Sequence, residues 1–156
     1  MLKQVNFSIV FQEVPDEVTL AINISNCPNN CVGCHSEFLK EDIGEPLSVE
    51  SLKDTLTPYK DTITCVAFMG GDNDPDEVQH LAKWVLSNYN GKIKTAWYSG
   101  KSHLPKNFDA SEFNYVKVGP YISEFGPLNA TTTNQRMYRI EPNGEMTDIT
   151  FRFWKK

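Results

Sequence analysis

Three of the four cysteines in this chain fall within eight positions, at Cys27, Cys31 and Cys34, while Cys65 stands alone. Their segment, Cys27-Pro28-Asn29-Asn30-Cys31-Val32-Gly33-Cys34, has the spacing C-x3-C-x2-C. Clustered thiols in an intracellular chain point to metal or redox chemistry rather than to disulfides. A bridge inside this loop would in any case leave one thiol over. Three thiolates on one tight turn can hold three corners of a cubane iron–sulfur cluster. Pro, Asn and Gly between them suit a loop that turns and aims backbone N–H groups at cluster sulfurs, which tunes potential. Three ligands for four irons leave one iron open, and an open position is what separates a reactive metal site from a structural one. Structural zinc is an alternative; it takes four ligands, so Cys65 or His35 would have to complete the set. Inert buried thiols or a redox switch are the blander readings.

The elements around this loop must place it. Val5, Phe7, Ile9 and Phe11 alternate with polar residues, a period of two that predicts a half-buried strand. Val18, Leu20, Ile22 and Ile24 repeat the pattern, so a strand over 18–24 runs directly into Ser25-Asn26-Cys27. The cysteines therefore leave the C-terminal end of a strand, the edge where α/β proteins put ligands. Ser48 caps an expected helix over 49–57. The β-branched and aromatic run Thr62–Phe68 reads as a buried strand that ends in Gly70-Gly71-Asp72. Asp74-Pro75-Asp76-Glu77 starts a helix whose face of Val78, Leu81, Ala82, Val85 and Leu86 lasts until Asn90-Gly91. Further strands are expected over 92–98, ending in Ser99-Gly100, and over 115–118, ending in Gly119-Pro120. Strand-like pieces at 137–141 and 146–153 flank the turn Pro142-Asn143-Gly144.

Strands alternating with helices predict a single α/β domain over 1–156 with mostly parallel strands. With 40% apolar residues in 156, the chain can bury a core without disulfides. Its net charge of −5 disfavours nucleic acid or an acidic membrane as partner. No apolar run approaches the roughly 18 residues that span a bilayer, and the opening MLKQVNFSIVFQ lacks a signal-peptide core. The expectation is a cytoplasmic protein.

C-x3-C-x2-C after an early strand, followed by glycine-rich strand ends, resembles the radical S-adenosylmethionine superfamily. The resemblance implies a small partial (βα) barrel in which Cys27, Cys31 and Cys34 hold a 4Fe-4S cluster. The open iron would be chelated by the methionine moiety of S-adenosyl-L-methionine. Met69-Gly70-Gly71-Asp72 is similar to the Gly-Gly-Glu-like element that binds the methionine amino group, with Asp in place of the commoner Glu. Trp97-Tyr98-Ser99-Gly100 is similar to a Trp-Thr-Gly element, which brings Ser99 to the methionine carboxylate or ribose. Trp97 and Tyr98 read equally as core aromatics, and Cys65 as a core thiol. Gly119-Pro120-Tyr121 resembles Asp-Gly-x-Phe, with Val118 where relatives carry the Asp.

Within the superfamily, the short chain, the Val32-Gly33-Cys34 and Gly70-Gly71-Asp72 elements and Thr132-Thr133-Asn134-Gln135-Arg136 resemble the activating proteins of anaerobic (class III) ribonucleoside-triphosphate reductase. His35 stands where many relatives have Tyr. The cofactor-contacting set implied is Gly33, Cys34, His35, Gly70, Gly71, Asp72, Ser99 and Asn134. Asn134-Gln135-Arg136 has a bland reading too, as a solvated turn. His80 and His103 read as surface residues. The activity implied is reductive cleavage of S-adenosylmethionine to methionine and a 5′-deoxyadenosyl radical, which takes a hydrogen from a glycine of the large reductase subunit. The chemistry is carried by the cofactor, so no catalytic side chain is assigned. A flavodoxin- or ferredoxin-like protein would supply the electron. The alternatives are an activase of a glycyl-radical lyase, a radical enzyme acting on a small molecule, or a zinc or iron–sulfur binding module.

Overall fold

The structure, a computed structural model, describes residues 2–11, 13–25, 41–105, 108 and 110–154. Its frame is one mixed sheet of eight strands: β1 (Lys3–Val10), β2 (Thr19–Ile24), β3 (Glu45–Pro46), β4 (Cys65–Met69), β5 (Lys94–Tyr98), β6 (Tyr115–Val118), β7 (Arg136–Ile140) and β8 (Met146–Asp148). They lie in the order β3-β1-β2-β4-β5-β6-β7-β8. The four central strands β2, β4, β5 and β6 are mutually parallel. Both flanks are antiparallel, so the sheet is partly rather than mostly parallel. The short links between β1 and β2, at Pro15-Asp16, and between β7 and β8, at Glu141–Glu145, favour a reversal, whereas parallel neighbours need a crossover; β6 and β7 are antiparallel across the longer connection 119–135.

Two helices supply crossovers, α1 (Val49–Leu56) and α2 (Pro75–Asn88). Ser48 and Ser51 form a reciprocal capping box at the start of α1. The Asp74 side chain accepts from the Glu77 N–H at the start of α2. Leu52 and Leu56 of α1 and Val78, Leu81, Ala82 and Val85 of α2 are buried, as their spacing requires. They cover one sheet face, where Leu20, Ile22, Ile24, Val66, Phe68, Trp97 and Val116 form the larger core. Among its described residues the β5–β6 crossover has only a short 3-10 turn, Ala110–Glu112. Phe108 and Phe113 pack on Trp97 instead, with ring centroids 5.0 and 5.9 Å from it. Each such pair adds about 0.5–1.5 kcal/mol beyond the area it buries.

The opposite face is shallow at its centre, because Ala21, Ala67 and Ala96 sit side by side in register on β2, β4 and β5. Small side chains let the chain itself fill this side. Val14 from the β1–β2 connection and Ile149 after β8 pack there with Cys65, Tyr115 and Met137. The Tyr98 hydroxyl donates to the Glu13 carbonyl, and Arg152 pairs with Asp16, so the two covering segments are tied to the sheet and to each other. Glu17 anchors the first of them. Its carboxylate accepts from Thr64 Oγ1 at 2.7 Å, Lys94 Nζ at 2.8 Å and the Tyr115 hydroxyl at 2.7 Å.

Several expected boundaries move. The strand expected from Thr62 begins at Cys65, because Thr62 and Ile63 N–H groups turn back to the Tyr59 carbonyl. The piece expected over 146–153 stops at Asp148, whose side chain accepts from Thr150 N–H and opens a 3-10 turn at Thr150–Phe153. Phe7 and Phe11, placed on a half-buried face by their alternation, are exposed. Among the described residues no helix is long and apolar enough to cross a membrane.

Candidate functional site at the strand exits

The C-terminal ends of β2, β4, β5 and β6 share one edge of the sheet, and each of the glycine-rich or polar exits lies on it. β2 ends at Ser25, whose N–H donates to the Lys3 carbonyl and whose hydroxyl donates to the Ile43 carbonyl at 2.6 Å. Residues 26–40 leave from Ser25 and the chain returns beside it. Gly33, Cys27, Cys31, Cys34 and His35 lie in that interval, outside the described residues. Among the described residues no group of three His, Cys, Asp or Glu side chains is arranged to hold a metal ion.

The β4 exit turns through two consecutive glycines with φ of +118° at Gly70 and +96° at Gly71, conformations that L side chains rarely adopt. A Cβ on Gly70 would come within 3.1 Å of the Ile24 carbonyl, and one on Gly71 within 2.5 Å of Val78 Cγ2. The turn carries Asp72 back over β5. There its Oδ1 accepts from Ser99 Oγ at 2.5 Å and its Oδ2 from the Gly100 N–H at 2.8 Å. Ser99 Oγ in turn accepts from the Lys101 N–H at 3.1 Å. A second link joins the same exits: the Trp97 indole N–H donates to the Gly70 carbonyl at 2.7 Å. Trp97 is thus a core residue that also secures the Gly-Gly turn. Tyr98 packs on the other face, beside Met69 in register.

The β6 exit contributes Lys117, which the sequence reading missed. Only 8% exposed, it donates to the Ser99 carbonyl at 3.1 Å and the Gly119 carbonyl at 2.8 Å. Its ammonium stands 6.0 Å from the centre of the Tyr98 ring, within cation–π range. The signal was in the strand itself, since a lysine inside a four-residue buried run must find partners. Val118, where relatives of the resembled family carry Asp, packs into the helix-side core.

Asn134 and Gln135 complete the edge. Gly119 lets the chain pass so closely that a Cβ there would lie 3.0 Å from Gln135 Cα. Asn134 Nδ2 donates to the Pro120 carbonyl at 3.1 Å, while its Oδ1 is buried with no protein partner. A buried acceptor without a donor is the position where a ligand N–H or O–H, or a water, belongs. Thr132 and Thr133 hydroxyls pin the carbonyls of Phe125 and Gly126, and Thr133 and Gln135 are buried. The segment is a built corner rather than the solvated turn that its polarity suggested.

His80 and His103 are exposed, as expected. Cys65 is fully buried, and burial, then the Glu17 carboxylate, push its thiol far above the ordinary value. It is therefore protonated and inert. Gly70, Gly71, Asp72, Ser99 and Asn134 thus lie along one edge, joined through Lys117 and Gly119. Comparison of this chain with protein-family models, with curated proteins and with solved structures gives no match to any of them.

Proposed function

We propose that this chain is an iron–sulfur and S-adenosylmethionine-dependent activase that generates a glycyl radical on the large subunit of anaerobic ribonucleoside-triphosphate reductase. The observation that carries the reading is the C-x3-C-x2-C segment, which leaves the same strand edge that presents Gly70-Gly71-Asp72, Ser99 and Asn134. Cys27, Cys31 and Cys34 would hold a 4Fe-4S cluster in a partial barrel of the radical S-adenosylmethionine type. Gly70, Gly71, Ser99 and Asn134, which the resemblance assigns to the cofactor, stand together at that edge, and Asn134 Oδ1 there lacks a protein donor. When bound, cluster and cofactor supply reductive cleavage to methionine and a 5′-deoxyadenosyl radical, with the electron from a flavodoxin- or ferredoxin-like protein. This chain's residues orient the cofactor and exclude water; none needs to act as acid or base. Gly33 and His35 flank the cluster ligands and are assigned to the cofactor with them.

The test is anaerobic reconstitution with iron and sulfide, dithionite reduction with S-adenosylmethionine, and assay of 5′-deoxyadenosine. Product in the wild type, its loss in Cys31→Ala, and a glycyl-radical signal on added reductase subunit are the expected results. Cleavage without radical on the reductase would move the assignment to a lyase activase or a small-molecule enzyme. Tight zinc and no cleavage would overturn it.

A further inference from the structure

We propose that Asp72 is a positioning residue rather than a ligand of the cofactor's ammonium group: it braces the β4 exit against the β5 exit and so holds the shape of the binding edge. The inference rests on the reading above for the identity of the ligand, but its geometry does not depend on it. A carboxylate after Gly70-Gly71 invites assignment as the counter-charge of an amino group. Yet its two oxygens accept from different atoms of the neighbouring strand exit, Ser99 Oγ at 2.5 Å and Gly100 N–H at 2.8 Å. These are charge-assisted hydrogen bonds in the short, strong range. They bridge positions far apart in sequence, and the two glycines with positive φ are what bring the carboxylate there. Ser99 passes the restraint on, because its hydroxyl accepts from Lys101 N–H and its carbonyl accepts from Lys117. An ammonium ligand would need a lone pair in place of, or beside, two donors already seated. A brace needs nothing more than the contacts present.

The two roles separate by experiment on the full chain reconstituted with iron and sulfide. Variants are Asp72→Ala, Asp72→Asn, Ser99→Ala and the double Asp72→Ala/Ser99→Ala. Two probes are S-adenosylhomocysteine, which carries the amino-acid head, and 5′-methylthioadenosine, which lacks it. A brace predicts that Asp72→Ala speeds amide exchange at Gly100 and Lys101 by about tenfold, the scale of one lost charge-assisted hydrogen bond. It also predicts weaker binding of both probes by similar factors, with the double variant no worse than the poorer single one. Asp72→Asn keeps one acceptor, falls between, and serves if the alanine variant does not fold. Loss of S-adenosylhomocysteine binding alone, with methylthioadenosine and amide exchange unchanged, would overturn the brace in favour of a direct ammonium contact. So would unchanged exchange in every variant. Failure of the wild type to bind either probe would sink the cofactor reading instead, leaving amide exchange to decide the brace.

Discussion

Replacing Gly71 by alanine tests whether the β4 exit is as tightly closed as its geometry implies. Gly71 has φ +96° and an added Cβ would lie 2.5 Å from Val78 Cγ2, on the first turns of α2. Gly91, just beyond the same helix, is the matched control: φ is +74° and nothing lies within 4 Å of its added Cβ. Gly91→Ala therefore carries only the backbone cost of a left-handed alanine, about 1–2 kcal/mol. Gly71→Ala carries that cost and must also move a valine that is stiff at χ1 and fully buried, by nearly 1 Å to reach ordinary contact. Overpacking of that kind costs about 1–3 kcal/mol, so the total is roughly 2–5 kcal/mol. Urea unfolding of the two variants beside the wild type reads the difference directly. The denaturation midpoint of Gly71→Ala is expected well below that of Gly91→Ala with an unchanged slope. Equal midpoints would refute the close approach of the Gly-Gly turn to α2.

Glu17→Ala leaves the buried Tyr115 hydroxyl without its acceptor and should cost about 2–4 kcal/mol, Glu17→Gln less because an acceptor remains. Lys94→Ala should cost less than Glu17→Ala, since the buried Glu17 carboxylate keeps the Thr64 and Tyr115 hydroxyls as donors; an equal loss for Lys94→Ala and Glu17→Ala in urea unfolding would show that the ion pair dominates. Stability should fall in alkali. Burial raises Cys65, Tyr98 and Tyr115 above their ordinary values of 9.0 and 10.0, so the native state keeps protons that the unfolded chain releases. Their contribution is complete below about pH 8 and is lost as pH climbs through 9 and 10, by up to about 1.4 kcal/mol per pH unit per group before solvent screening; a flat unfolding midpoint from pH 8 to 11 would contradict it. Native protein treated with iodoacetamide at pH 8 should leave Cys65 unmodified, and denatured protein should label it fully, as read by peptide mass spectrometry.

The parallel core was legible because its evidence is local. The alternation from Val18 to Ile24, the Asp74-Pro75 cap and the face from Val78 to Val85 each declare an element within a few residues. Gly70-Gly71, Ser99 and Gly119 could be placed at strand exits for the same reason. Long-range pairing was not legible. Period-two alternation is the same in a parallel and an antiparallel strand, so the reversed flanks did not show. Nothing local marks Glu45–Pro46 as a two-residue edge strand. The half-buried face expected for Phe7 and Phe11 failed because β1 lies near the sheet edge, where only β3 flanks it for two residues. The polar stretch Asn134-Gln135-Arg136 read as a solvated turn because the neighbours of Asn134 and Gln135, Pro120 and Gly119, come to it from a distance along the chain.

The division of the sheet explains why the polar contacts gather at the strand exits. Helices α1 and α2 and the Phe108–Phe113 segment cover one face. The alanine row at Ala21, Ala67 and Ala96 lets Val14 and Ile149 close down on the other. With both faces occupied, the strand exits are where main-chain polar groups are offered by turns rather than by ladder pairs. There the contacts form a chain: Asp72 to Ser99 and Gly100, Lys117 to the Ser99 and Gly119 carbonyls, and Asn134 to the Pro120 carbonyl. A buried lysine at its centre is costly unless every donor is used, which makes the arrangement a single unit rather than five separate contacts. Asp72→Asn should therefore couple to Ser99→Ala, whose hydroxyl donates to it, in a double-mutant cycle read by urea unfolding, while Gly91→Ala, which touches none of these groups, should add to either.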